Sequence, residues 1–359
     1  MMGKNKSIYV LGYLGYETSK VIYGGQLTKT RYLYKQLLDE FGENNVHYID
    51  TSNWKKNGFR LLIKIIKHSR KMDVVVLAPN RSGMKVLFPL FAFLKRIYKF
   101  KIVYPVIGSW IGGLLKKDKM LLWGFRCIDL VLPETEGLKE ELSGLTSAEI
   151  IVQPTASLRV PIAEQYICNG YELEKYYFCT FSRVTKQKGI EDAIKGINRA
   201  NELLVTKKCY LDIWGYVDDE YKEEFERLLK NNSEYVRYRG EIDINSIDDT
   251  VTQTLREYYM MIFPTYYPGE GYPTSIVEAY MSALPVIASD WKYNKEIVID
   301  GITGKIVKVN DIVNLSETIK DMVDNPTIVI DMKRKCLEVG KNHRPKEIMK
   351  EMIKWIRSE

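Results

Sequence analysis

The chain has 359 residues, 45% hydrophobic and 28% charged, a globular composition too long for one ordinary core, so two domains of similar size are expected. Five scattered cysteines, Cys127, Cys168, Cys179, Cys209 and Cys336, form no CxxC pair, which argues against a disulfide framework or a thiolate zinc site and for a reducing compartment. Residues 1–160 carry 25 Lys and Arg against 13 Asp and Glu, which leaves −5 on the remainder of a chain whose net charge is +7. No helix-turn-helix, zinc-finger or RNP signature accompanies the basic half, so an anionic membrane surface is expected there and a nucleic acid is not.

Lys4, Asn5 and Lys6 precede an apolar run from Ser7 to Tyr13. It is short, rich in Tyr and Gly and without a small-residue cleavage site, so it is expected to be a first strand and not a signal peptide. Further strands are expected at Val46–Ile49, Val74–Ala78, Ile102–Val106, Leu130–Leu132 and Ile150–Gln153. Helices are expected at Gln26–Phe41, Phe59–Lys71, Lys85–Lys99 and Lys119–Phe125, on apolar residues at helical spacing. The longest uncharged stretch, Ile102 to Leu115, is 14 residues and contains Pro105 and three glycines, so no membrane span is expected.

Around residues 154–176 the alternation lapses into Pro154, Pro161 and Gly170. It restarts with strands at Tyr177–Phe181, Tyr210–Trp214, Val236–Tyr238, Met261–Pro264, Val286–Ala288 and Lys305–Val307, and helices at Ile190–Leu203 and Tyr221–Asn231. The expected class is α/β, with two tandem Rossmann-like domains. The expected boundaries are an N-terminal acceptor- or membrane-facing domain at 1–160, a linker at 161–176, a C-terminal nucleotide-sugar-binding domain at 177–340 and a C-terminal helix at 341–359 that returns to the first domain.

The segment with the most chemistry runs from Phe263 to Asp300. Gly269, Gly271 and Pro273 would hold Glu270 in an irregular loop, and Thr274 or Ser275 would cap a helix carrying Glu278. Arg183 and Lys188 fall in the loop after the first strand of the second domain, where a parallel sheet presents ligands. Tyr23-Gly24-Gly25-Gln26 opens the first helix without completing a GxGxxG fingerprint.

With Glu270, Glu278, Leu284-Pro285-Val286-Ile287-Ala288 and Glu296, the second half resembles the large family-4 (group 1) glycosyltransferases of the bacterial polysaccharide-assembly type; the first half resembles them only in layout. The resemblance implies a GT-B fold with an interdomain cleft. It implies retaining, metal-independent transfer of a sugar from a UDP- or GDP-linked donor to a glycan or lipid-linked acceptor, in capsule, exopolysaccharide or lipopolysaccharide assembly. Glu270 would contact the donor sugar, Glu278 the ribose, and Arg183 and Lys188 the departing diphosphate. Gly24, Gly25, Gly215, Gly240, Gly271, Tyr272, Thr274 and Ser275 would complete the donor site, with Arg239, Gly240 and Glu241 near the base. No cofactor is expected, because the nucleotide sugar is a substrate.

Many relatives place a histidine after the fourth strand, where this chain has Val106-Ile107-Gly108-Ser109-Trp110. His47, His68 and His343 are expected to be a strand, a helix-face and a tail residue, so no side-chain base is visible and the resemblance implies a front-face route. A GT-B sugar-nucleotide epimerase and a non-catalytic nucleotide-sugar-binding subunit are the alternatives. Lys55, Lys56, Arg60, Lys64, Lys67, Arg70 and Lys71, with Leu61, Leu62, Ile65 and Ile66 between them, make a basic amphipathic helix. Such a helix suits a lipid interface at the cytoplasmic face of the membrane, or equally a face packed on the sheet with its cations in solvent.

Overall fold

A computed structural model describes residues 6–17, 25–167, 174–242 and 249–359. The chain divides into two compact units, the first formed by Met1–Ala156 with Pro345–Glu359 and the second by Ser157–Arg344.

In the first unit the elements are β1 Ile8–Gly12, α1 Gly25–Phe41, β2 Val46–Asp50, α2 Trp54–Ser69, β3 Val74–Ala78 and α3 Arg81–Tyr98. They continue with β4 Lys101–Pro105, α4 Ile111–Leu115, α5 Lys119–Phe125, β5 Leu130–Leu132, α6 Glu136–Ser143 and β6 Glu149–Ile150. The strands form one parallel sheet in the order β2-β1-β3-β4-β5-β6. Ile8 sits between Val46 and Val74. β1 and β3 are buried at every position, as a parallel strand covered on both faces must be. α2 packs beside α3 and α3 beside α5, while α1 meets the C-terminal segment.

The second unit holds β7 Lys175–Phe181, α7 Ile190–Leu203, β8 Lys208–Trp214, α8 Lys222–Asn231, β9 Val236–Gly240, α9 Thr250–Leu255, β10 Met261–Phe263 and α10 Thr274–Met281. After them come β11 Val286–Ser289, α11 Asn294–Ile297, β12 Gly304–Val307, α12 Ile312–Asp324 and α13 Pro326–Lys341. Its sheet is also parallel, in the order β12-β11-β10-β7-β8-β9. α7 packs beside α12, and α10 packs beside both α9 and α13. The last two helices, α14 Pro345–Ile348 and α15 Lys350–Ser358, belong to the first unit. There Trp355 Nε1 donates to Glu149 at 2.9 Å and Lys101 pairs with Glu359 at 2.6 Å.

Three sequence-based boundaries need correction. The segment expected as a linker joins the second unit, whose chain begins at Ser157: Ile162 and Ile167 are buried against Ala283 and Leu337, and Ile162 N donates to Met281 O at 2.9 Å. Residues 168–173, with Gly170 and Cys168, lie outside the described residues. The strand expected at Ile150–Gln153 is Glu149–Ile150, although Ile151 N and Gln153 N still donate to Val131 O and Pro133 O. The terminal helix is two helices, because Pro345 opens a short turn of its own. Among the described cysteines, Cys127, Cys179, Cys209 and Cys336 are all free.

Candidate donor-sugar site in the second unit

Two close backbone approaches build the site. Gly189, at φ +71, caps α7, and a Cβ there would lie 2.2 Å from Pro264 O; only glycine lets the loop after β7 press against the loop after β10. Tyr266 N donates to Gln187 O at 2.9 Å across the same seam. Gly215, at φ +138, would put a Cβ 1.8 Å from Ser182 O, so the end of β8 lies directly against the stretch that carries Arg183. Gly215 N also donates to Gly240 O at 2.9 Å.

The seam brings Lys188 onto Glu270. Their ion pair is 2.7 Å long, with side chains 10% and 8% exposed, and Thr265 Oγ1 donates to the same carboxylate oxygen at 2.9 Å. A buried pair of this kind holds two desolvated charges in one geometry, and removing either partner leaves the other uncompensated. Lys188 and Glu270, expected as separate ligand contacts, are partners here. The Lys188 ammonium lies 5.4 Å from the Tyr267 ring centroid, and the exposed Arg183 guanidinium lies 5.7 Å from the same ring. Tyr267 thus gathers both cations on its π system. Its carbonyl accepts from Trp291 Nε1 at 2.8 Å. Gly269 has no left-handed backbone; a Cβ there would meet the Tyr267 ring at 2.8 Å, so the glycine serves packing and not loop conformation. Lys186 is exposed and pairs with Glu224 at 3.3 Å.

Glu278 stands in α10 and is buried. Ser157 Oγ donates to its Oε1 at 3.0 Å, and Arg159 Nε approaches its Oε2 at 2.9 Å without hydrogen-bond alignment. Burial pushes the Glu278 carboxyl above the usual carboxylate range, and the Arg159 charge and the Ser157 hydroxyl pull back against that. Pro273, not Thr274 or Ser275, precedes α10, and no side chain caps it. The Thr274 hydroxyl is buried there and has no hydrogen-bond partner among the described residues. Tyr272 is buried, with its hydroxyl 3.2 Å from His343 Nε2. His343, expected as a tail residue, is a buried member of the second unit.

Where β8 pairs with β9, Asp212 accepts from Arg237 Nε at 3.0 Å and from Tyr258 OH at 3.0 Å. Arg239 stacks over Trp214 at 5.8 Å, and Gly240 follows it at φ +87. Gly271 is buried beside Glu270.

In the first unit, Gly25 starts α1 and is exposed, while Gly24 lies outside the described residues. Asp50, at the end of β2, accepts backbone N–H groups from Leu14, Tyr16, Glu17 and Ser52. Burial would raise its carboxyl, but those backbone donors outweigh it and hold the group below the ordinary range. Lys29 and Glu134 form a buried pair, with Thr155 Oγ1 donating to Glu134 at 2.8 Å. Tyr267, Thr265, Ser157, Arg159 and the Lys29–Glu134 pair had no local motif to announce them.

Residues 169–344 match the sequence family described as Glycosyl transferases group 1. That match spans most of the second unit, and with two parallel six-stranded sheets the chain has a GT-B fold. More particularly, it is 26% identical over 300 residues to a 41.2 kDa protein in the cps region of Klebsiella pneumoniae, covering 79% of this chain and 78% of that one. It is 20% identical over 228 residues to the poly(ribitol-phosphate) alpha-N-acetylglucosaminyltransferase of Staphylococcus aureus strain COL, covering 63% of this chain and 43% of that protein. The crystal structure of Anabaena Alr3699/HepE in complex with UDP is similar at a TM-score of 0.73 and 12% identity, over 98% of this chain and 100% of that one.

Proposed function

We propose that this chain transfers a sugar, with retention and without a metal, from a nucleotide diphosphate-sugar to a glycan or lipid-linked glycan acceptor. The pathway we assign is cell-surface polysaccharide assembly at the cytoplasmic face of the membrane. The observation that carries the reading is the gathering of Arg183, Lys188 and Glu270 around Tyr267, in a unit that matches the group 1 family. The cps-region relative supports the pathway, and the UDP held by the Anabaena protein makes UDP-sugars the first donors to test ahead of GDP-sugars.

In this reading Arg183 and Lys188 take the negative charge that grows on the diphosphate as the glycosidic bond breaks, the work a metal performs in other transferases. Glu270, steadied by Lys188 and Thr265, accepts hydroxyls of the donor sugar, and Glu278 accepts ribose hydroxyls. The uncapped start of α10 and the unpartnered Thr274 hydroxyl are donors suited to phosphate oxygens. The leaving phosphate oxygen takes the acceptor's proton on the same face.

The test is incubation with a panel of UDP- and GDP-sugars in EDTA, following nucleotide release with and without a lipid-linked acceptor. Acceptor-dependent release with a glycosylated product supports the proposal. An isomerised donor without release indicates an epimerase, and binding without turnover a non-catalytic subunit; either overturns it.

A further inference from the structure

α2 and α3 are neighbours in one helical layer of the first unit, and each turns an apolar stripe away from the sheet. On α2, Phe59 is 76% exposed, Ile63 50%, Ile66 43% and Leu62 36%. The spacing 59, 62, 63, 66 puts all four on one helical face. Ile65, on another face of the same helix, is buried, so α2 is docked on the unit through a different side and the exposed stripe is surplus to that packing. On α3, Val86, Phe93 and Ile97 are 55%, 57% and 55% exposed, again on one face, while Met84, Leu87, Phe88 and Phe91 face inward. Isolated surface apolar residues are ordinary, but two adjacent helices each exposing a stripe of large ones mark an interaction surface.

The charge around the stripes identifies what fits them. Between Asp50 and Asp118 the only acidic residue in the chain is Asp73. Arg60, Lys67 and Arg70 on and beside α2, and Lys85, Arg96 and Lys99 on and beside α3, are all exposed. By helical angle, Arg60 and Lys67 flank the α2 stripe on the side opposite Ile65. A second copy of this surface would bring like charges together across a two-fold axis, which opposes self-association. A bilayer rich in anionic headgroups offers both requirements at once: an apolar layer for the stripes and negative charge at the depth of the cations.

We infer that the α2–α3 face docks the enzyme on an anionic lipid bilayer, with Phe59, Ile63, Ile66, Phe93 and Ile97 entering the headgroup–acyl boundary and the flanking Arg and Lys residues meeting the lipid headgroups. This deepens the membrane part of the proposed function by naming the surface. Its test reads vesicle binding and needs no sugar transfer, so the two fail separately.

The experiment is co-sedimentation of the full chain with vesicles of phosphatidylcholine alone and of phosphatidylcholine with phosphatidylglycerol. The wild type is expected to bind the anionic vesicles, to prefer them over neutral ones, and to lose affinity as NaCl rises. Phe59→Ser/Ile63→Ser/Ile66→Ser is expected to lower the partition coefficient by roughly tenfold or more, the scale set by the apolar area withdrawn from the bilayer, with an unchanged thermal melt because these side chains are exposed. Arg60→Gln/Lys67→Gln/Arg70→Gln is expected to erase the preference for anionic vesicles, a readout that stands if the first variant misfolds. Absence of wild-type binding, or binding unchanged in both variants, overturns the inference. So does a concentration-dependent dimer abolished by the serine variant without any vesicle binding, which would assign the face to a second copy.

Discussion

The carboxyl edge of the second unit's sheet and the α2–α3 layer of the first unit invert the usual rule in opposite ways. At the sheet edge, charges are inside: Lys188 with Glu270 and Arg159 with Glu278 are four ionisable groups withdrawn from water. In the helical layer, apolar groups are outside, with Phe59 the most exposed of them. A fold selected for stability alone would avoid both, since buried pairs rarely stabilise more than apolar packing and exposed apolar stripes invite association. In the proposed function the first departure serves hydroxyls and phosphates, and in the inferred docking the second serves a lipid surface.

The sheet-edge half of this comparison can be broken by mutation. Lys188→Ala should cost most, lowering kcat/KM for transfer by roughly a hundred- to a thousandfold. It leaves the Glu270 carboxylate buried and uncompensated, so it should also destabilise by about 3 to 5 kcal/mol. Lys188→Arg should restore part of the rate, which separates lost charge from lost fold. Wild-type transfer kinetics in Lys188→Ala would mean the buried pair is structural only.

Arg183→Ala comes next. Its guanidinium is exposed and stacked on Tyr267, so kcat should drop by about a hundredfold while donor affinity and the thermal melt stay close to wild type. A loss confined to donor affinity would place Arg183 in ground-state binding instead.

Glu278→Ala should weaken donor binding by roughly ten- to a hundredfold, the scale of losing charge-assisted hydrogen bonds, measured by calorimetry. It sharpens the distinction between the two glutamates, because Glu278 is assigned to the ribose and Glu270 to the sugar.

The smallest effect is on pH dependence. Burial raises the Glu278 carboxyl above its ordinary value of 4.5. The folded protein therefore holds that proton to higher pH than a free glutamate, and the acceptor-only carboxylate is lost on acidification before pH 4.5 is reached. Donor affinity should fall along that acidic limb. Arg159→Gln, which removes the main opposing charge, should shift the fall to still higher pH. Affinity that is flat down to pH 4.5 in both proteins would show that the ionised form is not what binds the donor.

The sheets were legible because their strands are short runs of β-branched and aromatic residues, and Val74–Ala78 and Leu130–Leu132 keep the expected bounds. The segment after Pro154 was illegible because Ile162 and Ile167 are five positions apart, a spacing that fits neither a strand nor a helix; a two-residue anchor has no periodicity. Glu270 and Glu278 could be found from local glycines, prolines and the strand that follows. Their partners could not, since Lys188 is 82 positions from Glu270 and Ser157 is 121 from Glu278, and only the parallel crossovers bring them together. For α2 the sequence left packing and exposure equally open, because an apolar stripe has the same spacing whether it meets a sheet or water.

The central claim is that Arg183 and Lys188 grip a nucleotide diphosphate, and the most direct test is titration calorimetry of UDP, and then GDP, against the wild type and an Arg183→Ala/Lys188→Arg protein with a normal melt. Binding of one nucleotide by the wild type is expected, weakened roughly tenfold or more in the variant, because the free diphosphate carries the terminal charge that the intact donor lacks and that Arg183 is placed to receive. Equal affinity in the two proteins, or no affinity of the wild type for either nucleotide, would contradict it.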